Sequence, residues 1–248
     1  MPFRAKQLKA IVFDVDGTLY RQSPLRRTML LRLLRWTAAR PVEGLRTFRA
    51  LQAYRQAQEE LRGEIDGDIA AAQLRLACER TKADPAWVAA SVERWMEREP
   101  LPYLAPCIHA GLVEFLHACK AQGLRLAALS DYPAAAKLDA LGIGSLFELA
   151  LCAQAPEVGV FKPHPRGLQV ALERMGVERH ECLYVGDRAD VDAGAAQAAG
   201  IACAILTREP ARASDTHTSF TSYSQLQALL FGAGHGAYRD VISAESYR

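Results

Sequence analysis

The sequence predicts an α/β chain: a doubly wound parallel sheet with an all-helical segment inserted after its first strand. Three observations predict it. Five short segments are continuously apolar, as strands buried on both faces are. Helical patterns separate the later ones. Residues 21–104 interrupt that rhythm and hold no strand-like run.

The first run, AIVFD (10–14), ends on Asp14, with Asp16, Gly17 and Thr18 just beyond it. Two carboxylates one residue apart at a buried strand end repel each other. Burying either of them unpaired costs several kcal/mol. A divalent cation with an anionic substrate beside it is the expected compensation.

Residues 21–104 read as helices over 24–38, 44–62, 67–81 and 85–98. Leu25, Met29, Leu33 and Trp36 recur at helical spacing, which makes one face apolar. Pro41, Gly63, Gly67 and Pro85 punctuate the segment, and PLPYLAP (100–106) has the composition of a hinge. A helix over 106–122 follows, opened by Pro106 and stopped at Gly123. Strands are then expected at 124–131, 147–153, 182–187 and 201–207. Between them lie helices over 133–141, 165–175 and 189–199, closed by Gly142, Gly176 and Gly200. The expected division is a core of 1–20 and 105–232, an inserted helical domain of 21–104, and a partly ordered tail over 233–248.

In such a sheet, ligands sit at the carboxyl ends of the strands. Asp14, Ser130 and Asp187 each end an apolar run. Position on the strand, more than residue type, marks them as site candidates.

Bulk properties narrow the class. The 248 residues are half apolar and 23% charged, ordinary for a soluble enzyme. A net charge of +2 points to no nucleic-acid partner. No run spans a bilayer, and MPFRAKQLK leads straight into the first strand instead of forming a signal peptide. The cytoplasm is the expected address. The six cysteines form no CxxC pair and read as small buried hydrophobes, and the six histidines have no ligand spacing.

Four motifs occur in order: Asp14-Val15-Asp16-Gly17-Thr18, Ser130, Lys162-Pro163, and Gly186-Asp187 with Asp190 and Asp192 following. In this arrangement the chain resembles the haloacid dehalogenase-like hydrolase superfamily, in the subgroup with a helical cap after the first strand. The resemblance covers roughly 8–20 and 105–230 and implies a Rossmann-like core. It implies Asp14 as the nucleophile that becomes an aspartyl-phosphate, and Asp16 as general acid and then base. Thr18, Ser130 and Lys162 would surround the substrate phosphate, with Asp131 in the same loop. Mg²⁺ would be held by Asp14, Asp187, Asp192 and, through its backbone carbonyl, Asp16. Asp190 reads instead as an acid favoured at a helix start.

One departure stands out. Most relatives carry Asn after the Thr or Ser of the second motif, whereas LSDY places Asp131 there. A carboxylate beside a phosphate site repels substrate unless it is paired or turned away.

Within the family, an acid at Asp16 favours phosphoryl chemistry over dehalogenation, since a leaving halide needs no proton. A Schiff-base lysine for phosphonate cleavage would have to come from the insertion, whose one lysine is Lys82. The expected function is Mg²⁺-dependent hydrolysis of a small phosphomonoester. A phosphomutase on the same core, or a non-catalytic binding module, is the alternative. Residues 21–62 carry ten arginines against three glutamates. That bias fits a solvated helix surface, a cleft attracting a multiply charged substrate, or peripheral contact of SPLRRTMLLRLLRWTAAR with an anionic lipid surface. Oligomeric state has no signature in the sequence.

Overall fold

The computed structural model describes residues 7–63, 67–209 and 214–232; the tail expected over 233–248 lies outside them. Six parallel strands form one sheet in the order β3-β2-β1-β4-β5-β6. They are β1 (Ala10–Phe13), β2 (Arg125–Ser130), β3 (Leu149–Cys152), β4 (Cys182–Gly186), β5 (Ala202–Leu206) and β6 (Thr218–Phe220). The chain runs outward from β1 to β3, then crosses back to β4 and continues the other way. The order therefore reverses beside β1, and the crevice at the carboxyl ends of β1 and β4 is where such sheets bind ligands.

Alternation explains why the central strands read as unbroken apolar runs. Ile11 and Phe13 of β1 belong to one core cluster, with Leu112, Phe115 and Tyr223. Ala10 and Val12 face the opposite cluster, with Leu168, Ala171 and Ala195. Both faces are covered, so neither parity of the strand can be polar. Helices α5 (Leu112–Ala121), α6 (Ala135–Ala140) and α9 (Tyr223–Phe231) supply cover, as do α7 (Arg166–Met175) and α8 (Gly194–Ala199). Each large side chain buried this way contributes about 1.5–3 kcal/mol.

Four helices lie between β1 and α5: α1 (Gln22–Ala39), α2 (Pro41–Glu60), α3 (Ile69–Thr81) and α4 (Pro85–Val92), which runs on into a π-helical turn at Glu93–Arg98. Pro41, read as punctuation from the sequence, is the first residue of α2, where its missing N–H costs nothing. Asp68 and Asp84 cap α3 and α4, accepting from the backbone of Ala71 and Trp87. The helix expected from Pro106 instead begins at Leu112. Ala105–Cys107 forms a 3-10 turn, and Gly111 takes a left-handed conformation that starts α5 anew. The expected helix over 189–199 opens with a π-helical turn, Ala189–Ala193. The three-residue β6 has no counterpart in the expected strands; TSF is too short and polar to stand out.

Candidate active site at the carboxyl ends of β1, β2 and β4

The strand ends bring Asp14, Asp187 and Asp192 together, with one oxygen from each carboxylate within 4.8 Å of the others. Asp14 is buried and both its oxygens are engaged. Oδ1 accepts from Lys162 Nζ at 2.5 Å, and Oδ2 accepts from Thr18 Oγ1 at 2.9 Å. Lys162 Nζ also donates to Asp192 Oδ1 at 2.7 Å and to the Tyr184 hydroxyl at 3.1 Å. Burial alone would strip the charge from this lysine, but Asp14 and Asp192 outweigh it and hold Lys162 well above the ordinary lysine range. Burial pushes Asp14 well above the carboxylate range; Lys162 opposes that rise, while Asp192 and Asp187 add to it.

Asp192 braces the site. Its Oδ1 accepts from Lys162 and Tyr184, and its Oδ2 accepts from the backbone N–H groups of Asp187 and Arg188 at 3.1 and 3.0 Å. Lys162 and these hydrogen bonds hold it below the ordinary carboxylate value despite burial. Asp187 differs: its carboxylate has no hydrogen-bond partner among the described residues, and burial, then Asp192, push it up to about 6. Asp190 stays at the surface, paired with Arg188 at 2.7 Å.

Gly17 makes the close approach feasible. Its φ of +110° is open to glycine and costly for other residues, and a Cβ there would overlap the Asp187 carboxylate. The turn is fixed from behind, since His109 Nε2 donates to the Gly17 carbonyl at 3.0 Å and the Tyr223 hydroxyl donates to the Thr18 carbonyl at 2.7 Å.

Asp16 points to a separate group of residues. Lys137 Nζ, on α6, lies 2.7 Å from both its oxygens, Ser130 Oγ donates to Oδ2 at 3.3 Å, and the Tyr20 hydroxyl donates to Oδ1. Burial would raise Asp16, but Lys137 and these hydrogen bonds overcome it and leave the carboxyl below its ordinary value. The backbone carbonyl of Asp16 accepts from the Gln22 amide.

Asp131, the departure in the second motif, is paired. Its Oδ2 accepts from Gln58 Nε2 at 2.7 Å and from Arg62 Nη1 at 2.9 Å, both reached from α2 and its end; Oδ1 is buried without a partner. Arg62 also donates to the Lys162 carbonyl at 2.9 Å. Next to Asp131, the Tyr132 hydroxyl donates to Gln58 Oε1 at 2.6 Å and accepts from Gln73 at 3.0 Å. The inserted helices are thus tied to the loop after β2 by a polar network.

Sequence reasoning missed Lys137, Tyr20, Tyr184, Arg62 and Gln58. Lys137 carried a faint signal, as the one lysine of an otherwise plain helix seven residues past Ser130. Arg62 and Gln58 had none, because their partner Asp131 is remote along the chain, and nothing in the sequence marked the nearer contacts of Tyr20 with Asp16 or of Tyr184 with Asp192. Above these residues opens a cleft of about 1400 Å³ that continues from Asp14, Lys162 and Asp187 onto the walls of α1 and α2.

Comparison with known proteins gives this geometry its relatives. A model of haloacid dehalogenase-like hydrolases matches residues 8–200. Glyceraldehyde 3-phosphate phosphatase of Methanopyrus kandleri is 32% identical over 207 residues, covering 81% of this chain and 84% of that protein. Phosphoglycolate phosphatase of Nitrosospira multiformis is 30% identical over 197 residues, 78% and 80% of the two chains. Among solved structures, a 2-haloacid dehalogenase from Pseudomonas syringae pv. Tomato superposes with a TM-score of 0.65 at 23% identity, over 90% of this chain and 98% of that one, a likeness of fold.

Proposed function

The chain belongs to the haloacid dehalogenase-like hydrolases and is a phosphatase among them, and on that premise we propose that it hydrolyses a phosphomonoester through an aspartyl-phosphate on Asp14, with Mg²⁺. The observation that carries this reading is the pairing of Asp14 with buried Lys162, beside an unpartnered Asp187 carboxylate. The donor set fits Mg²⁺: hard carboxylate oxygens converge there, and the Asp187 carboxylate has no hydrogen-bond partner among the described residues. Asp14, Asp187 and the Asp16 carbonyl would hold the ion. Asp192, whose carboxylate converges with those of Asp14 and Asp187, would join them directly or through water. Its oxygens, like those of Asp14, also accept from protein donors, so it would orient Lys162 and the loop of Asp187 as well. Bound there, the ion would neutralise charge on the substrate phosphate.

The chain's own residues do the rest. An Asp14 oxygen attacks phosphorus, the bond from phosphorus to the alcohol oxygen breaks, and Asp16 gives that oxygen a proton. Lys162 offsets the charge of the transferring group, and Ser130, whose hydroxyl donates to Asp16 here, would meet a phosphate oxygen once substrate enters. Asp16, now ionised, takes a proton from water as that water attacks the phosphorus, releasing phosphate and restoring Asp14. Lys137 keeps Asp16 in the ionised form that this second half needs. Thr18 orients the nucleophile. Asp131 stays clear of the phosphate because Arg62 and Gln58 hold it toward the inserted helices, which would act as a cap over the site.

Turnover of an aryl phosphate with Mg²⁺, and its loss in EDTA, is the test. Hydrolysis undiminished by EDTA would remove the metal from this account.

A further inference from the structure

The cleft is larger than a two- or three-carbon ester requires. Its volume of about 1400 Å³ exceeds the range of roughly 300–1,000 Å³ that accommodates drug-sized ligands. Beyond the carboxylates part of its wall is apolar: Met29, Leu30 and Leu33 from α1, Phe48 and Leu51 from α2, and Trp95 from the turn after α4, with Arg26, Gln52 and Arg55 lining it beside them from the same helices. Leu30 and Phe48 line the cleft and are also 49% and 47% exposed. Leu34 lies one turn beyond Leu30, and Leu45 and Val42 lie at three-residue steps before Phe48. Leu34 is 55% exposed and Val42 85%. Among the described residues no side chain covers these positions.

We propose that the alcohol of the substrate is a long apolar chain lying along α1 and α2, so that the enzyme takes amphiphilic phosphomonoesters. The proposal rests on the phosphatase reading and adds the substrate class. The phosphate head sits at Asp14 and Lys162, and the tail follows the wall from Met29 and Leu33 past Phe48 to the exposed rim. Burial of one methylene is worth about fourfold in affinity, so even a partly covered chain of a few carbons decides between substrates. Arg27, Arg35 and Arg49 stand exposed on the same two helices without an ion-pair partner among the described residues. A rim of leucines interleaved with free arginines matches an anionic lipid surface, from which such an amphiphile would be drawn.

The test is a chain-length series at saturating Mg²⁺: ethyl, butyl, hexyl and octyl phosphate below their aggregation limits, with phosphoglycolate as a short charged competitor. The expected result is a kcat/KM at least tenfold higher for octyl than for ethyl phosphate, carried by KM. In Phe48→Ser the dependence on chain length flattens. A flat or falling series, a preference for phosphoglycolate, or an equal loss in Phe48→Ser at every length overturns the proposal while leaving the phosphatase reading intact. No hydrolysis of any ester, an aryl phosphate included, would instead overturn that reading. A second arm presents dodecyl phosphate dispersed as monomer, or in phosphatidylcholine vesicles with and without phosphatidylglycerol. Faster turnover on the anionic vesicles identifies a lipid surface as the source; equal turnover on all three supports the amphiphile but overturns that source.

Discussion

Lys137 Nζ lies 2.7 Å from both carboxylate oxygens of Asp16, so the residue proposed to deliver a proton is held toward its ionised form. The contact favours the base half of the proposed cycle and opposes the acid half. Removing the cation in Lys137→Met raises the Asp16 pKa, since an opposite charge at this range lowers a carboxyl by roughly one to three units. For an alkyl phosphate, whose leaving oxygen needs a proton, the alkaline limb of kcat/KM moves to higher pH. For an aryl phosphate, whose leaving group departs unprotonated, the limb stays in place. A pH–rate comparison of the two substrate types checks this. Asp16→Asn should cost about 10²–10⁴-fold in kcat/KM on the alkyl ester but not the aryl ester, while lowering kcat on both because both need the base for hydrolysis of the phosphorylated Asp14.

Arg62 and Asp131 couple the inserted helices to the loop after β2. Their side chains are each 12% exposed, which discounts the pair relative to a fully buried one. Arg62→Ala leaves Asp131 half-paired and is expected to lower stability by roughly 2–3 kcal/mol. It should also raise KM, because the freed carboxylate then faces the phosphate. Asp131→Asn in the Arg62→Ala background should recover much of the KM. A double-mutant cycle in urea unfolding and kinetics reads both effects.

In the proposed site Asp187 would make the effect of Mg²⁺ depend on pH. Its folded value of about 6 lies above the ordinary 3.8. Its contribution to stability is therefore full at pH below the ordinary value and is lost as pH rises through about 6. In EDTA, the melting temperature of the native chain relative to Asp187→Asn should fall between about pH 4 and 6 and level off above that. In the proposed site Mg²⁺ would bind the ionised carboxylate, so its addition should reverse the trend, with the largest gain at the upper end. Thermal melts of both proteins at three pH values measure it.

Gly17→Ala forces a side chain into a left-handed backbone and against the Asp187 carboxylate. A cost of roughly 1–3 kcal/mol in stability is expected, with activity and Mg²⁺ affinity falling together. Titration of Mg²⁺ against turnover, beside a melting curve, separates this from a loss of fold.

The sheet was legible because of burial. Ala10–Phe13 reads as an apolar run since Ile11 and Phe13 meet one core cluster while Ala10 and Val12 meet the other. Asp14, Ser130 and Asp187 were legible because each ends such a run. What stayed hidden depends on tertiary partners. Asp131 looked like a liability in the sequence, and its remedy, Arg62, lies 69 residues away. Lys137 reaches Asp16 across 121 residues. Local rules misplaced helix ends where one residue plays two parts: Pro41 starts α2 although prolines also break helices, and Gly111 resets the helix that Pro106 was expected to open. The inserted helices were visible as helices, but the continuity of their apolar wall with the catalytic cleft appears only in three dimensions.

The central claim is that Asp14 becomes phosphorylated. Rapid quench during turnover of an aryl phosphate, followed by borohydride reduction and peptide mass spectrometry, tests it most directly. The account predicts a phosphoryl adduct on the peptide containing Asp14, converted to homoserine at that position, and neither adduct nor turnover in Asp14→Asn. Steady hydrolysis by Asp14→Asn, or an adduct carried by another residue, would contradict it.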